Sequence, residues 1–244
     1  MKRDVLISAL ALTLACQRSE PTPATTASTP SKPRAVPSVA ADPPGTYLGR
    51  TIAQTMSHLG APWLVRPERE REENTSLLMR ELRLKPGDVA CDLGAGNGYH
   101  SLRMAKAVAP DGRVLASDLQ PEMRTLLKQR AAKAGVTNVQ TVAATPTDPK
   151  LPPGTCDLIL MVDVYHELSD PPAVLTRLRR ALTPRGVIAL VEFREEDPNV
   201  PIKPLHKMSK AQILKEYTAN QLRLTRAFDG LPWQHLMFFA PAGR

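Results

Sequence analysis

The stretch Asp88-Val-Ala-Cys-Asp-Leu-Gly-Ala-Gly-Asn-Gly-Tyr-His100 carries the strongest structural signal in this chain. Its first half is a run of mostly apolar or small residues, which is typical of a strand buried on both faces. Gly94, Gly96 and Gly98 follow, and they allow positive φ angles and close approach of a ligand to the backbone. A helix predicted from about Tyr99 to Ala109 directs its free N–H groups at this turn, where they favour an anionic group. The stretch therefore predicts a site for part of a nucleotide-like ligand.

The bulk composition is that of one basic domain with extensions. The chain has 244 residues and a formal net charge of +8, and such a surplus favours anionic partners. However, the basic residues do not form a single run, and aromatic residues make up only 4% of the chain. Stacking on nucleic-acid bases needs aromatic side chains, so nucleic acid is not an expected partner.

Residues 1–16 are interpreted as a signal peptide. Met1-Lys-Arg3 is a positively charged start, and the apolar run from Val5 to Ala15 is shorter than the roughly 20 residues that span a bilayer. The run ends in Ala15-Cys16, which resembles a bacterial lipoprotein signal, in which the cysteine is lipidated and becomes the new N-terminus. The alternatives are an ordinary signal peptide and a misassigned start codon. We expect a membrane-anchored, extracytoplasmic protein, or a cytoplasmic one if the signal is not processed.

Residues 17–45 form a predicted linker. They are dominated by Pro, Thr, Ser and Ala, and a segment with so few large apolar residues cannot offset its ordering entropy. The many prolines favour an extended, semi-rigid chain. The folded domain is therefore predicted over residues 46–244.

Strands and helices alternate beyond the glycine turn. Strands are predicted over residues 113–118, 139–144, 156–163, 187–193, 222–228 and 235–240, and helices over 46–59, 68–84, 121–134, 172–182 and 209–220. This alternation predicts an α/β fold, a Rossmann-like, doubly wound and mostly parallel seven-stranded sheet with helices on both faces and an N-terminal helical extension. Ligands of such sheets bind beyond the carboxyl ends of the strands, where the glycine turn, Asp118 and Asp163 all lie.

The glycine spacing distinguishes between nucleotide ligands. The third glycine, Gly98, comes one residue earlier than in the dinucleotide fingerprint GxGxxG. As Asp92-Leu-Gly-Ala-Gly-Asn-Gly98, the motif resembles that of class I S-adenosylmethionine-dependent methyltransferases. The resemblance covers about Leu77 to Ala240 and is closest to the small-molecule branch that includes ubiquinone and menaquinone methyltransferases. It implies an enzyme that uses S-adenosyl-L-methionine as its cofactor.

The same resemblance implies roles for individual residues. In the family, the glycine motif cradles the methionine part of the cofactor, and the acid that ends the second strand accepts both ribose hydroxyls. Asp118 holds that second position, although a helix cap is the alternative for it, and Asp163 matches the position beside the transferred methyl. The expected cofactor-binding residues are Asp92, Gly94, Ala95, Gly96, Gly98, Asp118, Leu119 and Asp163. The family's adenine-contacting acid has no counterpart, and Thr145 or Asp148 could substitute for it.

His166 is the predicted catalytic residue. It follows the fourth strand closely, and an ordinary histidine pKa near 6.5 suits a general base at neutral pH. The alternative is a loop histidine that packs on the cofactor. We expect a small-molecule or lipid-like acceptor. Candidates to line its pocket, each of which could equally be a surface residue, are Trp63, Arg66, Glu73, Lys203, His206 and Lys207.

Two further readings concern function. Methyltransferases that act on DNA bases carry Asn/Asp-Pro-Pro-aromatic at the fourth strand, whereas this chain has Asp163-Val-Tyr, which argues against DNA. The alternative to an enzyme is a membrane-tethered S-adenosylmethionine-binding module without turnover, because this cofactor is made in the cytoplasm.

Neither a disulfide nor a metal site is expected. Cys91 lies near the end of one predicted strand and Cys156 at the start of another, a placement that does not favour a bridge. Both are interpreted as small buried apolar residues. His206 has no cysteine or carboxylate partner at a metal-ligand spacing, and His235 lies on a predicted core strand.

Overall fold

The computed structural model describes residues 45–243. The predicted signal peptide and all but the last residue of the predicted linker lie outside the described residues, so both remain predictions. Within residues 45–243, none of the helices combines the length and the apolar character that crossing a bilayer requires.

The strands are β1 (Thr46–Tyr47), β2 (Arg50–Thr51), β3 (Val89–Leu93), β4 (Arg113–Asp118), β5 (Val139–Ala143), β6 (Cys156–Val162), β7 (Leu182–Phe193), β8 (Leu222–Phe228) and β9 (Gln234–Pro241). The α-helices are α1 (Arg69–Glu73), α2 (Thr75–Glu81), α3 (Ser101–Val108), α4 (Pro121–Lys133), α5 (Pro171–Ala181) and α6 (Lys210–Ala219). Single or short 3-10 helices span His58–Val65, Tyr165–Glu167 and Pro204–His206.

The predicted seven-stranded, mostly parallel sheet is confirmed. Its strand order is β5-β4-β3-β6-β7-β9-β8, with β3 to β7 paired in parallel and β9 antiparallel to both of its neighbours. Along the chain, β4 and β5 lie on one side of β3, whereas β6 and β7 lie on the other. The direction of winding therefore reverses beside β3, and ligands of such sheets bind at the strand ends near this point.

Apolar residues of the central strands alternate between two cores. Cys91 and Ile159 pack with Leu175 of α5 and Tyr217 of α6 on one face. Ala90 and Leu158 pack with Leu78 of α2 and Met104 of α3 on the other. Because successive side chains of a strand point to opposite faces, the strands are apolar throughout, and helices cover both faces as predicted.

The predicted N-terminal helices are partly wrong. Residues 46–57 do not form a helix: they begin with the hairpin β1–β2, whose turn places Leu48 and Gly49 at φ angles of 48° and 89°. The predicted helix over residues 68–84 is divided into α1 and α2 at Asn74, which has φ 49° and whose side chain accepts a hydrogen bond from the N–H of Leu77. Tertiary contacts of the hairpin, described below, outweigh the helical spacing of its apolar residues.

The expectation of two unpaired buried cysteines is also wrong. Cys91 of β3 and Cys156 of β6 form a disulfide, with their Cα atoms 5.9 Å apart, within the range that this bond requires. The expectation assumed a regular ladder through β6. The strand pairing is irregular between Cys156 and Leu158, so the spacing of a regular ladder does not apply to Cys156.

Candidate functional site

A cavity of about 470 Å³ opens at the carboxyl ends of β3, β4 and β6. Much of its wall is apolar, including Met56, Leu64, Leu168, Phe193 and Ile202. Polar groups are concentrated in two places. We call these the glycine end, made of Gly94, Gly96 and Asp118, and the histidine end, made of His166, Glu167 and His206.

The turn of the glycine end accepts only glycine at its key positions. Gly94 and Gly98 have φ angles of 69° and 81°, which side-chain-bearing residues rarely adopt. A Cβ atom on Gly94 would lie 2.4 Å from Val164 Cγ2, and one on Gly98 would lie 2.7 Å from Leu127 Cγ. The turn is therefore held between two packed side chains, with Gly94 and Gly96 left bare on the cavity wall.

Asp118 is oriented by the backbone at the end of β4. Its Oδ2 accepts the N–H of Gly96 and its Oδ1 the N–H of Gln120, each at 2.8 Å. Burial raises the pKa of Asp118, although these two hydrogen bonds oppose the rise. Each carboxylate oxygen keeps a further lone pair, so Asp118 can accept two hydroxyl groups from a ligand in the cavity.

Six of the nine predicted site residues line the cavity: Gly94, Gly96, Asp118, Leu119, Asp163 and His166. The other three lie behind this wall. Asp92 accepts a 2.6 Å hydrogen bond from Ser101 Oγ, and burial raises the pKa of Asp92 to about 7. Ala95 packs with Leu127 and Ala116, and Gly98 also lies against Leu127. These three residues shape the turn from beneath.

Asp163 lies between the two ends. It has a φ of 54°, an unusual conformation for a residue other than glycine. Its Oδ2 accepts a 2.7 Å hydrogen bond from Gln234, whereas its Oδ1 is buried without a partner among the described residues. Burial raises the pKa of Asp163 well above its ordinary value, and the charges of Glu73 and Glu192 raise it further. A buried acceptor without a partner is costly, which suits a group that binds a ligand.

His166 is the centre of the histidine end. Its Nδ1 lies 2.6 Å from Oε2 of the fully buried Glu192, and its Nε2 lies 3.0 Å from His206 Nδ1. Burial lowers the pKa of His166, but the Glu192 carboxylate outweighs burial and the pKa is raised overall. Burial raises the pKa of Glu167 to about 7. Burial and the neighbouring His166 lower the pKa of His206 to about 4.

The N-terminal segment holds the histidine end in place. Arg50 of β2 donates to the backbone carbonyl of His166 at 2.9 Å and binds the buried Glu216 at 2.7 and 3.0 Å. Tyr165 donates to the same glutamate at 2.8 Å. The N–H of Met56 donates to Glu167 Oε1 at 3.1 Å. These contacts join segments that are more than 100 residues apart in sequence, and spacing in the sequence carries no signal for them.

The residues proposed to line an acceptor pocket divide into two groups. Trp63, Lys203 and His206 lie on the cavity wall, whereas Arg66, Glu73 and Lys207 do not. Arg66 instead stacks on the Trp63 ring at 3.6 Å and pairs with Glu73 at 2.7 Å. Of the two candidates for contacting adenine, Thr145 lines the cavity and Asp148 is outside it, beside Lys150.

The sequence analysis missed three members of the site. Glu192, Met56 and Gln120 hold site residues in place from β7, from the N-terminal segment and from the loop after β4. Glu192 interrupts an otherwise apolar strand, and this was the one signal that could have identified it. The reasoning that left His206 without a carboxylate partner was also wrong, because Glu167 Oε1 lies 3.8 Å from its Nδ1.

Comparisons with known proteins agree with this geometry. Residues 84–235 match the model of a methyltransferase domain family. The chain is 32% identical over 117 residues to an uncharacterized 37.1 kDa protein of a Streptomyces fradiae transposon, and covers only 33% of that protein. It is 24% identical over 165 residues to a demethylmenaquinone methyltransferase of Listeria monocytogenes, with 63% of this chain and 68% of the relative aligned.

A solved structure shares the fold. A SAM-dependent methyltransferase from Aquifex aeolicus superposes with a TM-score of 0.71 at 24% identity, covering 76% of this chain and 98% of that one. The glycine turn, the oriented Asp118 and the unpartnered oxygen of Asp163 fit the cofactor of such enzymes. The family match spans more than half of the chain, so the protein belongs to the class I S-adenosylmethionine-dependent methyltransferases.

Proposed function

We propose that the protein transfers a methyl group from S-adenosylmethionine to a small-molecule or lipid-like acceptor bound at the histidine end. The observation that carries this proposal is the cavity itself, which joins Gly96 and Asp118 at one end to His166 and His206 at the other. A donor and an acceptor held in one cavity are prearranged for in-line displacement, in which positioning supplies much of the rate enhancement.

The glycine end would hold the cofactor, which supplies a methyl group activated on a sulfonium sulfur. Asp118 accepts hydrogen bonds from the ribose hydroxyls, for which its two oriented oxygens are suited. The bare backbone of Gly94 and Gly96 lets the cofactor approach closely. Asp163 offers its unpartnered Oδ1 on the way to the histidine end.

The acceptor would lie against apolar side chains and meet polar groups only at the histidine end. Trp63, Leu168, Phe193 and Ile202 supply apolar wall, as suits a ring or a lipid-like chain. We propose that the histidine end as a whole, with His166 at its centre, activates the acceptor. One similar protein bears the name demethylmenaquinone methyltransferase, which supports a lipid-like acceptor.

Asp118 provides the test. We expect Asp118→Asn to weaken S-adenosylmethionine binding about 10–100-fold by calorimetry, because a charged acceptor of hydrogen bonds is worth about 1.5–3 kcal/mol. Asp148→Asn is the matched control, since Asp148 lies outside the cavity and pairs with Lys150. Transfer of labelled methyl to a bacterial lipid extract tests turnover. Equal cofactor affinity in the two variants would contradict the assignment of Asp118.

The second candidate is a tethered S-adenosylmethionine-binding module without turnover. The export-like N-terminus favours it, because this cofactor is made in the cytoplasm. Binding of the cofactor without labelled transfer to any extract would support the module and refute the enzyme.

We also propose that the protein is an extracytoplasmic lipoprotein. The predicted signal motivates this location, and the disulfide between Cys91 and Cys156 supports it, because such bonds persist mainly in oxidising compartments. Mass spectrometry of the protein isolated from its native cell should find a lipidated Cys16 at the N-terminus and no free thiol at Cys91. An intact Met1 together with free thiols would refute the proposal.

A further inference from the structure

Three potential metal ligands converge at the histidine end. In residues 45–243, His166, Glu167 and His206 have ligand atoms that all lie within 4.8 Å of one another. His166 Nε2 is 3.0 Å from His206 Nδ1, and both nitrogens are 3.8 Å from the same oxygen, Glu167 Oε1. The three atoms thus form a nearly symmetrical triangle.

The size of this triangle matches a metal ion. A point equidistant from the corners of a triangle with sides of 3.0, 3.8 and 3.8 Å lies about 2.1 Å from each corner. Zn²⁺ binds imidazole nitrogen and carboxylate oxygen at roughly 2.0–2.2 Å. An ion at this point would therefore bond all three atoms without movement of any side chain.

Neighbouring groups already orient the ligands. Glu192 Oε2 lies 2.6 Å from His166 Nδ1, so the proton of a neutral His166 is held at Nδ1 and the Nε2 lone pair faces the triangle. The N–H of Met56 donates to Glu167 Oε1 at 3.1 Å and leaves a second lone pair of that oxygen for an ion. A carboxylate behind a histidine and a hydrogen bond to a ligating carboxylate are typical outer partners of metal ligands.

We propose that His166, Glu167 and His206 bind a divalent first-row transition-metal ion, with Zn²⁺ the best match in distance. Two imidazoles and one carboxylate suit Zn²⁺, Fe²⁺ or Co²⁺ better than Mg²⁺ or Ca²⁺, which prefer oxygen ligands. This assignment replaces the expectation that the chain has no metal site.

Such an ion would give the histidine end a defined task. Three protein ligands leave at least one coordination position free, and all three residues line the cavity. A hydroxyl or carboxylate oxygen of the acceptor can take that position. This role rests on the proposed methyl transfer, whereas binding of the ion does not.

Direct measurement of metal binding tests the proposal. The full chain, stripped with a chelator and dialysed, is titrated with Zn²⁺ in a calorimeter, and the Co²⁺ form is examined by absorption spectroscopy. We expect one Zn²⁺ per chain and the absorption of Co²⁺ bound to nitrogen and oxygen. Absence of one-to-one binding would refute the proposal and leave the three residues as a hydrogen-bonded cluster.

Matched variants locate the ion. His206→Ala and Glu167→Gln should weaken Zn²⁺ binding by more than the roughly 10–100-fold that loss of an outer partner costs, and Glu192→Gln should weaken it by that smaller factor. His235→Ala is the control, because His235 Nε2 meets Glu196 Oε2 at 2.8 Å outside the cavity. Zn²⁺ affinity that falls in His235→Ala but not in His206→Ala would overturn the assignment.

S-adenosylmethionine binding to the same variants separates the two proposals. His206→Ala should retain cofactor binding, because His206 belongs to the histidine end and Asp118 to the glycine end. Cofactor binding without Zn²⁺ binding would refute the metal site alone. Zn²⁺ binding without cofactor binding would refute the proposed function and leave the metal site standing.

Discussion

The two ends of the cavity are built in different ways. The glycine end comes from two short stretches, residues 92–98 and Asp118, which follow adjacent parallel strands, and much of its shape is backbone. The histidine end needs the hairpin β1–β2, the 3-10 helix Tyr165–Glu167, β7 and His206, and nearly all of its chemistry lies in side chains. A local motif therefore makes one end, whereas contacts between distant segments make the other.

Gly94 tests whether the two ends are independent, and we expect the largest effect there. Gly94→Ala would place a Cβ atom 2.4 Å from Val164 Cγ2 at a φ of 69°. Overpacking costs roughly 1–3 kcal/mol, and the left-handed backbone adds about 1 kcal/mol. We expect S-adenosylmethionine affinity, measured by calorimetry, to fall on the order of 100-fold.

The double variant Gly94→Ala/Val164→Ala removes the clash and keeps the backbone cost. It should recover most of the lost affinity, since only about 1 kcal/mol remains. If the double variant binds no better than Gly94→Ala, contact with Val164 does not connect the two ends.

Gln120 should show a smaller effect, and mainly at the histidine end. It follows Asp118, yet its side chain donates to the carbonyl of Met56 at 2.9 Å and accepts the N–H of His58 at 2.7 Å. Gln120→Ala removes both bonds, so we expect a loss of about 1–2 kcal/mol in the free energy of unfolding, measured by urea denaturation. Cofactor affinity should change less than threefold.

Gln129→Ala is the control, because Gln129 is exposed on α4. It should leave the free energy of unfolding within about 0.5 kcal/mol of the wild type. An equal loss in the two variants would show that the bonds of Gln120 to the N-terminal segment contribute no stability.

The glycine end and the sheet could be predicted because their signals are local. Alternating strands and helices predicted the seven-stranded sheet, and the positive φ of Gly94, Gly96 and Gly98 follows from the glycine spacing. Asp118 was located because the carboxyl ends of parallel strands share one edge. The N-terminal helices failed because Arg50 binds Glu216, 166 residues away, and this contact outweighs local propensity.

The sequence by itself determined the α/β sheet, the glycine turn and the family of the enzyme, because each depends on residues close together in the chain. Only the tertiary structure decided that Cys91 meets Cys156, that Glu192 lies behind His166, and that His206 joins Glu167. These pairs are 26 to 65 residues apart, and no periodicity in a sequence records which distant side chains the packing of a sheet and its loops will bring within bonding distance.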